Sequence, residues 1–202
     1  KGGLFALAKT KGVTVHSSMP HLGDNAIYKA ASAIKKIEFM KFDAEEDALL
    51  GFPTINVGTI KGGLNFNSVP DHTEFTVDIR TTTKIPNQKA MRALELQLGS
   101  EVDIHQLTDL DAIATSEKNP FVKMVYQICN INSDSIYFKN AAPYLTDASV
   151  LTPWLNEIPT IILGPGEVEM AHQIDEFCYI DKIHEAVTIY KEIIISNAKL
   201  GQ

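Results

Sequence analysis

The sequence predicts an α/β chain whose first half is a β–α–β–β–α–β unit, and three observations carry that reading. Runs such as "HTEFTVDIRT" alternate apolar and polar residues with the two-residue period of a half-buried strand. Helical patterns of 3.6-residue period fall between such runs at regular intervals. The chain has 202 residues, 45% hydrophobic and 21% charged, the balance of a folded globular protein large enough for one domain or two.

In chain order, "LFALAKTKGVTVH" reads as a strand, with Val13 and Val15 on one face and Thr14 and His16 on the other. The turn-rich "SSMPHLGDN" leads into a helix with Ile27, Ala30, Ala31 and Ile34 on its apolar stripe. "TINVGTIKGG" and "HTEFTVDIRT" are two strands joined across "LNFNSVPD". In the second, Phe75, Val77 and Ile79 face a core, while Thr76, Asp78 and Arg80 face away. "NQKAMRALELQLG" is a helix burying Met91, Leu94 and Leu98 and ending at Gly99, and "EVDIHQLT" is a further strand. That order describes a ferredoxin-like sandwich over roughly Gly3 to Leu110, one sheet with two helices on one face. His16 and Arg80 are then expected on the helix-free face.

Beyond "DAIATSEKNP" the pattern changes. "NPFVKMVYQICN" is helical, with Phe121, Val125, Ile128 and Cys129 on one stripe. "SIYFKN" and "PTIILGP" read as short strands, and "YIDKIHEAVTIYKEIII" is a closing helix with Ile183, Val187, Tyr190 and Ile194 as its core stripe. Two helices and two short strands cannot close an α/β layer by themselves, so this part reads as half a domain.

Composition narrows the function. A net charge of −7 opposes a nucleic-acid binder, which needs clustered Lys and Arg. No apolar run reaches membrane-spanning length, so no membrane partner is expected. The two cysteines, Cys129 and Cys178, lack metal or redox spacing and read as free thiols; with no signal peptide, a cytoplasmic location is expected. "IKGG" lacks the Lys-Ser/Thr of a phosphate loop, and no "GxSxG" supports "HSS" as a serine-hydrolase site. Taken singly, each of the six histidines is an ordinary structural hydrogen-bonder.

Four stretches together are more specific: "GVTVHSSMPHLGDNAI", "NVGTIKGGLNFNSVPDHTEFTVDIR", "LTDASVL" and "PTIILGPGEVEMAHQIDE". In this order and spacing they resemble the zinc-dependent amidohydrolases of the acetylornithine deacetylase and succinyl-diaminopimelate desuccinylase family. Aminoacylases and carnosine-type dipeptidases are more distant relatives. The resemblance implies a ferredoxin-like lid, or dimerisation, domain over residues 1–112 and the C-terminal portion of an α/β catalytic domain over 113–202. It also implies that the N-terminal part of the catalytic domain, with the other metal ligands and the glutamate base, is absent, so the isolated chain is expected to be inactive.

The resemblance assigns His172 as a metal ligand, to zinc (two per site in the whole enzyme) or, as the alternative metal, to cobalt. His16 would stabilise the oxyanion in the neighbouring subunit's site, which implies a homodimer through the lid. Asn67, Arg80, Thr146 and Gly164 would bind an N-acyl amino acid, and Arg80 offers a guanidinium fork suited to a carboxylate. An Arg80 paired with Asp78 is the structural alternative. The other functional readings are a metallo-dipeptidase or aminoacylase of the same superfamily, and a non-catalytic dimerisation or binding module.

Overall fold

The computed structural model describes residues 1–131, 141–171 and 173–200, with residues 199 and 200 described by backbone alone. Contacts divide the chain into two compact units, Lys1–Ile113 with Ala141–Leu151, and Ala114–Asn140 with Thr152–Gln202.

The first unit holds strands β1 (Gly3–Lys11), β2 (Thr54–Gly62), β3 (His72–Arg80) and β4 (Val102–Leu110), with helices α1 (Ala26–Glu38) and α2 (Asn87–Leu98). The strands form one antiparallel sheet of order β2-β3-β1-β4, the ferredoxin-like arrangement that the element order implied. Alternation sets its two faces. Leu4, Ala6 and Ala8 of β1 and Phe75, Val77 and Ile79 of β3 are buried, and they share one core with Ala30, Ala33, Ile37, Leu94 and Leu98 of the helices. Removing such surface from water contributes about 1.5–3 kcal/mol for each large side chain. Phe75→Ala would therefore cost about 3–5 kcal/mol.

Helix α1 begins at Asn25, whose side chain accepts from the backbone N–H of Ile27 at 2.9 Å and of Tyr28 at 3.3 Å. Its buried residues are Ala26, Ala30, Ala33 and Ile37; of the expected stripe Ala30 is buried, whereas Ala31 is exposed. Ile34 is half-buried against the same core, and Ile27 is half-buried as well. Helix α2 buries Met91, Leu94 and Leu98 as expected. It stops at Gly99, whose φ of +74° lies where only glycine is unstrained.

The first strand is shorter than its alternation suggested. β1 ends at Lys11, and at Gly12 the backbone passes so close to its neighbours that a Cβ would stand 2.0 Å from the carbonyl oxygen of Asp24. The chain leaves the sheet there. His16 thus does not sit on the helix-free face; it lies beyond the strand, in an isolated bridge with Ser68.

In the second unit, α3 (Pro120–Ile128) and α5 (Ile180–Leu200) pack on each other. Asn119 caps α3 by accepting from Phe121 N–H at 2.9 Å, with Pro120 at the first helical position. Val122 and Val125 are its buried residues. A short helix α4 (Ala148–Trp154) begins in the first unit and is followed by "PTIILGP". That stretch is not a strand: its bonds run to side chains instead of a ladder, with Thr160 N–H donating to Thr115 Oγ1 at 2.8 Å and Leu163 O accepting from Tyr190 Oη at 2.9 Å. The strand expected within "SIYFKN" lies outside the described residues.

The apolar stripe expected to bury on α5 is uncovered: Ile183 is 44%, Val187 63%, Tyr190 39% and Ile194 69% exposed, while Ala186 is buried. Cys129 is half-buried, which pushes its thiol pKa up, and Cys178 is exposed; both are free. No described helix is long and apolar enough to cross a membrane.

Candidate active site

Local backbone geometry pins His16 on both sides. Ser17 N–H donates to the carbonyl of Asn67 at 3.0 Å, and Val69 N–H donates to that of Val15 at 2.8 Å. These two bonds flank the His16–Ser68 bridge and lock the turn after β1 against the β2–β3 connection. The turn itself closes by Met19 N–H donating to His16 O at 2.9 Å. His16 is exposed, and its Nδ1 lies 2.8 Å from Ser18 Oγ. Asn67 is therefore its neighbour. The same connection carries Leu64 and Phe66, 92% and 100% exposed, so this end of the lid presents a histidine, an amide and an apolar tip to solvent.

Arg80 is elsewhere. It lies on the helix-free face, as its alternation predicted, but at the far end of β3. Eight steps of a strand at ~3.3 Å place it on the order of 25 Å from the end beside which His16 stands. Its guanidinium is engaged: Nη2 donates to Asp78 Oδ2 at 2.9 Å, Nε lies 2.7 Å from Oδ1, and the group stacks 4.9 Å from the Phe5 ring centroid. One protomer thus brings His16 and Asn67 together and holds Arg80 apart.

Thr146 is half-buried, and its carbonyl accepts from Ser149 N–H at 3.1 Å in the turn that opens α4. Gly164 is exposed, and a Cβ there would meet nothing within 4 Å. His172 lies outside the described residues. Among the described residues no group of three or more His, Cys, Asp or Glu side chains could hold a metal ion, so they do not by themselves fit a zinc centre.

Two features escaped the sequence. Asp47, within the charged "AEED", is 4% exposed and binds the loop before β2 to the turn after β3. Its Oδ1 accepts from Leu49 N–H at 2.9 Å and Leu50 N–H at 3.0 Å, and its Oδ2 accepts from Thr83 N–H at 3.2 Å and from the Thr83 hydroxyl. Burial pushes its carboxyl pKa up, but these four donors prevail and hold it below the ordinary carboxylate value. An acid followed two and three residues later by free N–H groups was the available signal. The other feature is the contact between Ser18 and His16.

Similarity to known proteins follows the same outline. The peptidase dimerisation domain model matches residues 1–105, just over half of the chain. Acetylornithine deacetylase of Vibrio parahaemolyticus is 26% identical over 208 residues, covering 96% of this chain and 53% of that protein. The Staphylococcus epidermidis protein named "Probable succinyl-diaminopimelate desuccinylase" is 27% identical over 224 residues, covering 96% and 55%. The crystal structure of a metallo-carboxypeptidase from Sulfolobus solfataricus superposes with a TM-score of 0.72 at 17% identity, over 96% of this chain and 57% of that one. The chain spans about half the length of the curated relatives it matches. It belongs to the M20 peptidase and amidohydrolase superfamily, with the peptidase dimerisation domain of that family at residues 1–105.

Proposed function

We propose that these residues form the dimerisation lid and part of the catalytic domain of a metal-dependent amidohydrolase that removes the acyl group from an N-acyl amino acid of the acetylornithine or succinyl-diaminopimelate kind. Similarity to that branch over 96% of the chain is the observation that carries this reading. The relatives known only by fold include a tripeptidase and a metallo-carboxypeptidase, so a peptidase of the same superfamily is the second reading. The uncovered stripe of α5 supports a catalytic domain completed by chain outside these 202 residues, which would cover it.

Each residue has a role in that proposal. His172 would be this chain's ligand to zinc, and zinc when bound would polarise the scissile carbonyl. The remaining ligands would come from outside this chain. His16 would donate to the oxyanion of the tetrahedral intermediate, with Asn67 beside it holding a polar group of the substrate. Arg80 would exchange Asp78 for a substrate carboxylate, and Thr146 and Gly164 would line the pocket.

The separation within the lid supports a dimer. His16 and Arg80 stand at opposite ends of β3, so one substrate meets both only if they come from different subunits. Of the two sheet edges, β4 carries Asp103 and Asp109, whereas β2 carries a single charge, Lys61, and exposes Ile60 to 49%. Charged edges resist pairing and uncharged ones invite it, so β2 is the edge assigned to the homodimer.

The test is turnover by the full-length polypeptide, with zinc, on N-acetylornithine, N-succinyl-diaminopimelate and a dipeptide. Preference for either acylated amino acid is expected, and preference for the dipeptide would move the assignment to the peptidases. The isolated 202-residue chain should turn over none of them.

A further inference from the structure

The His16 ring is held at one nitrogen. Ser18 N–H donates to Nδ1 at 3.2 Å, and Ser18 Oγ lies 2.8 Å from the same atom. A backbone N–H can only donate, so an Nδ1 that accepts from it carries no proton. The Ser18 hydroxyl, free to rotate, then also donates, and the ring proton resides on Nε2. That nitrogen has no protein partner among the described residues. His105 and His72 contrast with it, since each turns Nε2 toward a carboxylate, His105 to Asp103 at 3.1 Å and His72 to Glu74 at 3.9 Å. In His16 the N–H is left facing solvent, on a ring whose backbone is fixed by the bonds of Ser17 and Val69.

We propose that Ser18 is a positioning residue that holds neutral His16 as the Nε2–H tautomer, so that its outward nitrogen is always a hydrogen-bond donor. The Nδ1–H tautomer would turn a lone pair outward and repel an oxyanion where a donor is needed. The catalytic consequence rests on the role proposed above for His16; the tautomer itself does not.

Long-range proton–nitrogen correlation spectra of the 202-residue chain, labelled at histidine and recorded where the ring is neutral, read the tautomer directly. His16 should show Nδ1 as its unprotonated nitrogen. Ser18→Ala removes the hydroxyl and leaves the backbone donor on Nδ1, so it should raise the Nδ1–H fraction about twofold with backbone amide dispersion unchanged, and Ser18→Thr, which keeps the hydroxyl, should restore the original pattern. A wild-type ring protonated on Nδ1, or an unchanged tautomer in Ser18→Ala, would overturn the proposal. In the full-length enzyme Ser18→Ala should lower kcat roughly five- to tenfold, the loss of about one hydrogen bond, at unchanged KM, with recovery in Ser18→Thr. An unaffected kcat in Ser18→Ala alongside a large loss in His16→Ala would also overturn the positioning role. If His16→Ala itself leaves kcat intact, the role proposed for His16 fails, and the spectra alone decide the tautomer.

Discussion

The backbone of Ser17 donates to the carbonyl of Asn67 at 3.0 Å, so the turn carrying His16 and the connection carrying Asn67 move as one piece. An imidazole and an amide side chain from distant parts of the sequence thereby share one end of the lid. If that pair completes a neighbouring active site, His16→Ala in the full-length enzyme should lower kcat by about 10²–10³ with little change in KM. Zinc content should stay normal. Heterodimers of His16→Ala subunits with His172→Ala subunits should recover activity at one of their two sites. Absence of recovery, with heterodimers shown to form, would place His16 in its own subunit's site.

Asp47 makes the lid sensitive to acid. Its carboxyl pKa is lowered from the ordinary 3.8, so the folded state favours the ionised form. The stabilisation is fully present above the unfolded value and is lost as pH falls through the lower folded value. Asp47→Asn keeps one acceptor but replaces the other with a donor facing donors, and should cost about 1–3 kcal/mol at neutral pH. Denaturation followed at pH 7 and at about pH 3 checks this, and the gap between wild type and variant should narrow at the lower pH.

Gly12 sets the point where β1 ends. A Cβ there would stand 2.0 Å from Asp24 O and 2.9 Å from both Ala26 N and Pro70 O, all backbone atoms that cannot step aside. Gly12→Ala should destabilise the lid by about 1–3 kcal/mol. Gly164→Ala, with open space around it, should change stability by no more than about 0.5 kcal/mol. In the full-length enzyme, however, Gly164→Ala should raise KM if that position lines the pocket. Thermal melts and steady-state kinetics separate the two effects.

The β2 edge can be tested by charge. Ile60→Lys should weaken self-association of the full-length protein at least tenfold, because burying an isoleucine contributes about 1.5–3 kcal/mol and each 1.4 kcal/mol is a decade in Kd. Leu107→Lys, a similarly exposed site on β4, should leave association unchanged. Sedimentation equilibrium of both variants decides between the edges. Loss of association in the Leu107 variant alone would assign the dimer to β4.

Much of the lid was legible in the sequence because its signals are local. Period-two alternation placed Phe75, Val77 and Ile79 in the core and Arg80 on the opposite face, and Met91, Leu94 and Leu98 before Gly99 marked the buried face and the end of α2, though not its buried Asn87 and Ala90. Each depends only on neighbours within a turn or a strand. What the tertiary structure alone decided depends on groups far apart in the chain. The carbonyl of Asp24 meets Gly12 and ends β1 before His16, and the face that α1 turns to the sheet buries Ala33 and Ile37 and leaves Ala31 exposed. Thr83 comes to Asp47 across 36 residues and turns a charged loop into a buried clamp. The apolar stripe of α5 makes the same point in reverse. Its periodicity is a statement about what the side chains prefer, and only a packed neighbour can convert that preference into burial.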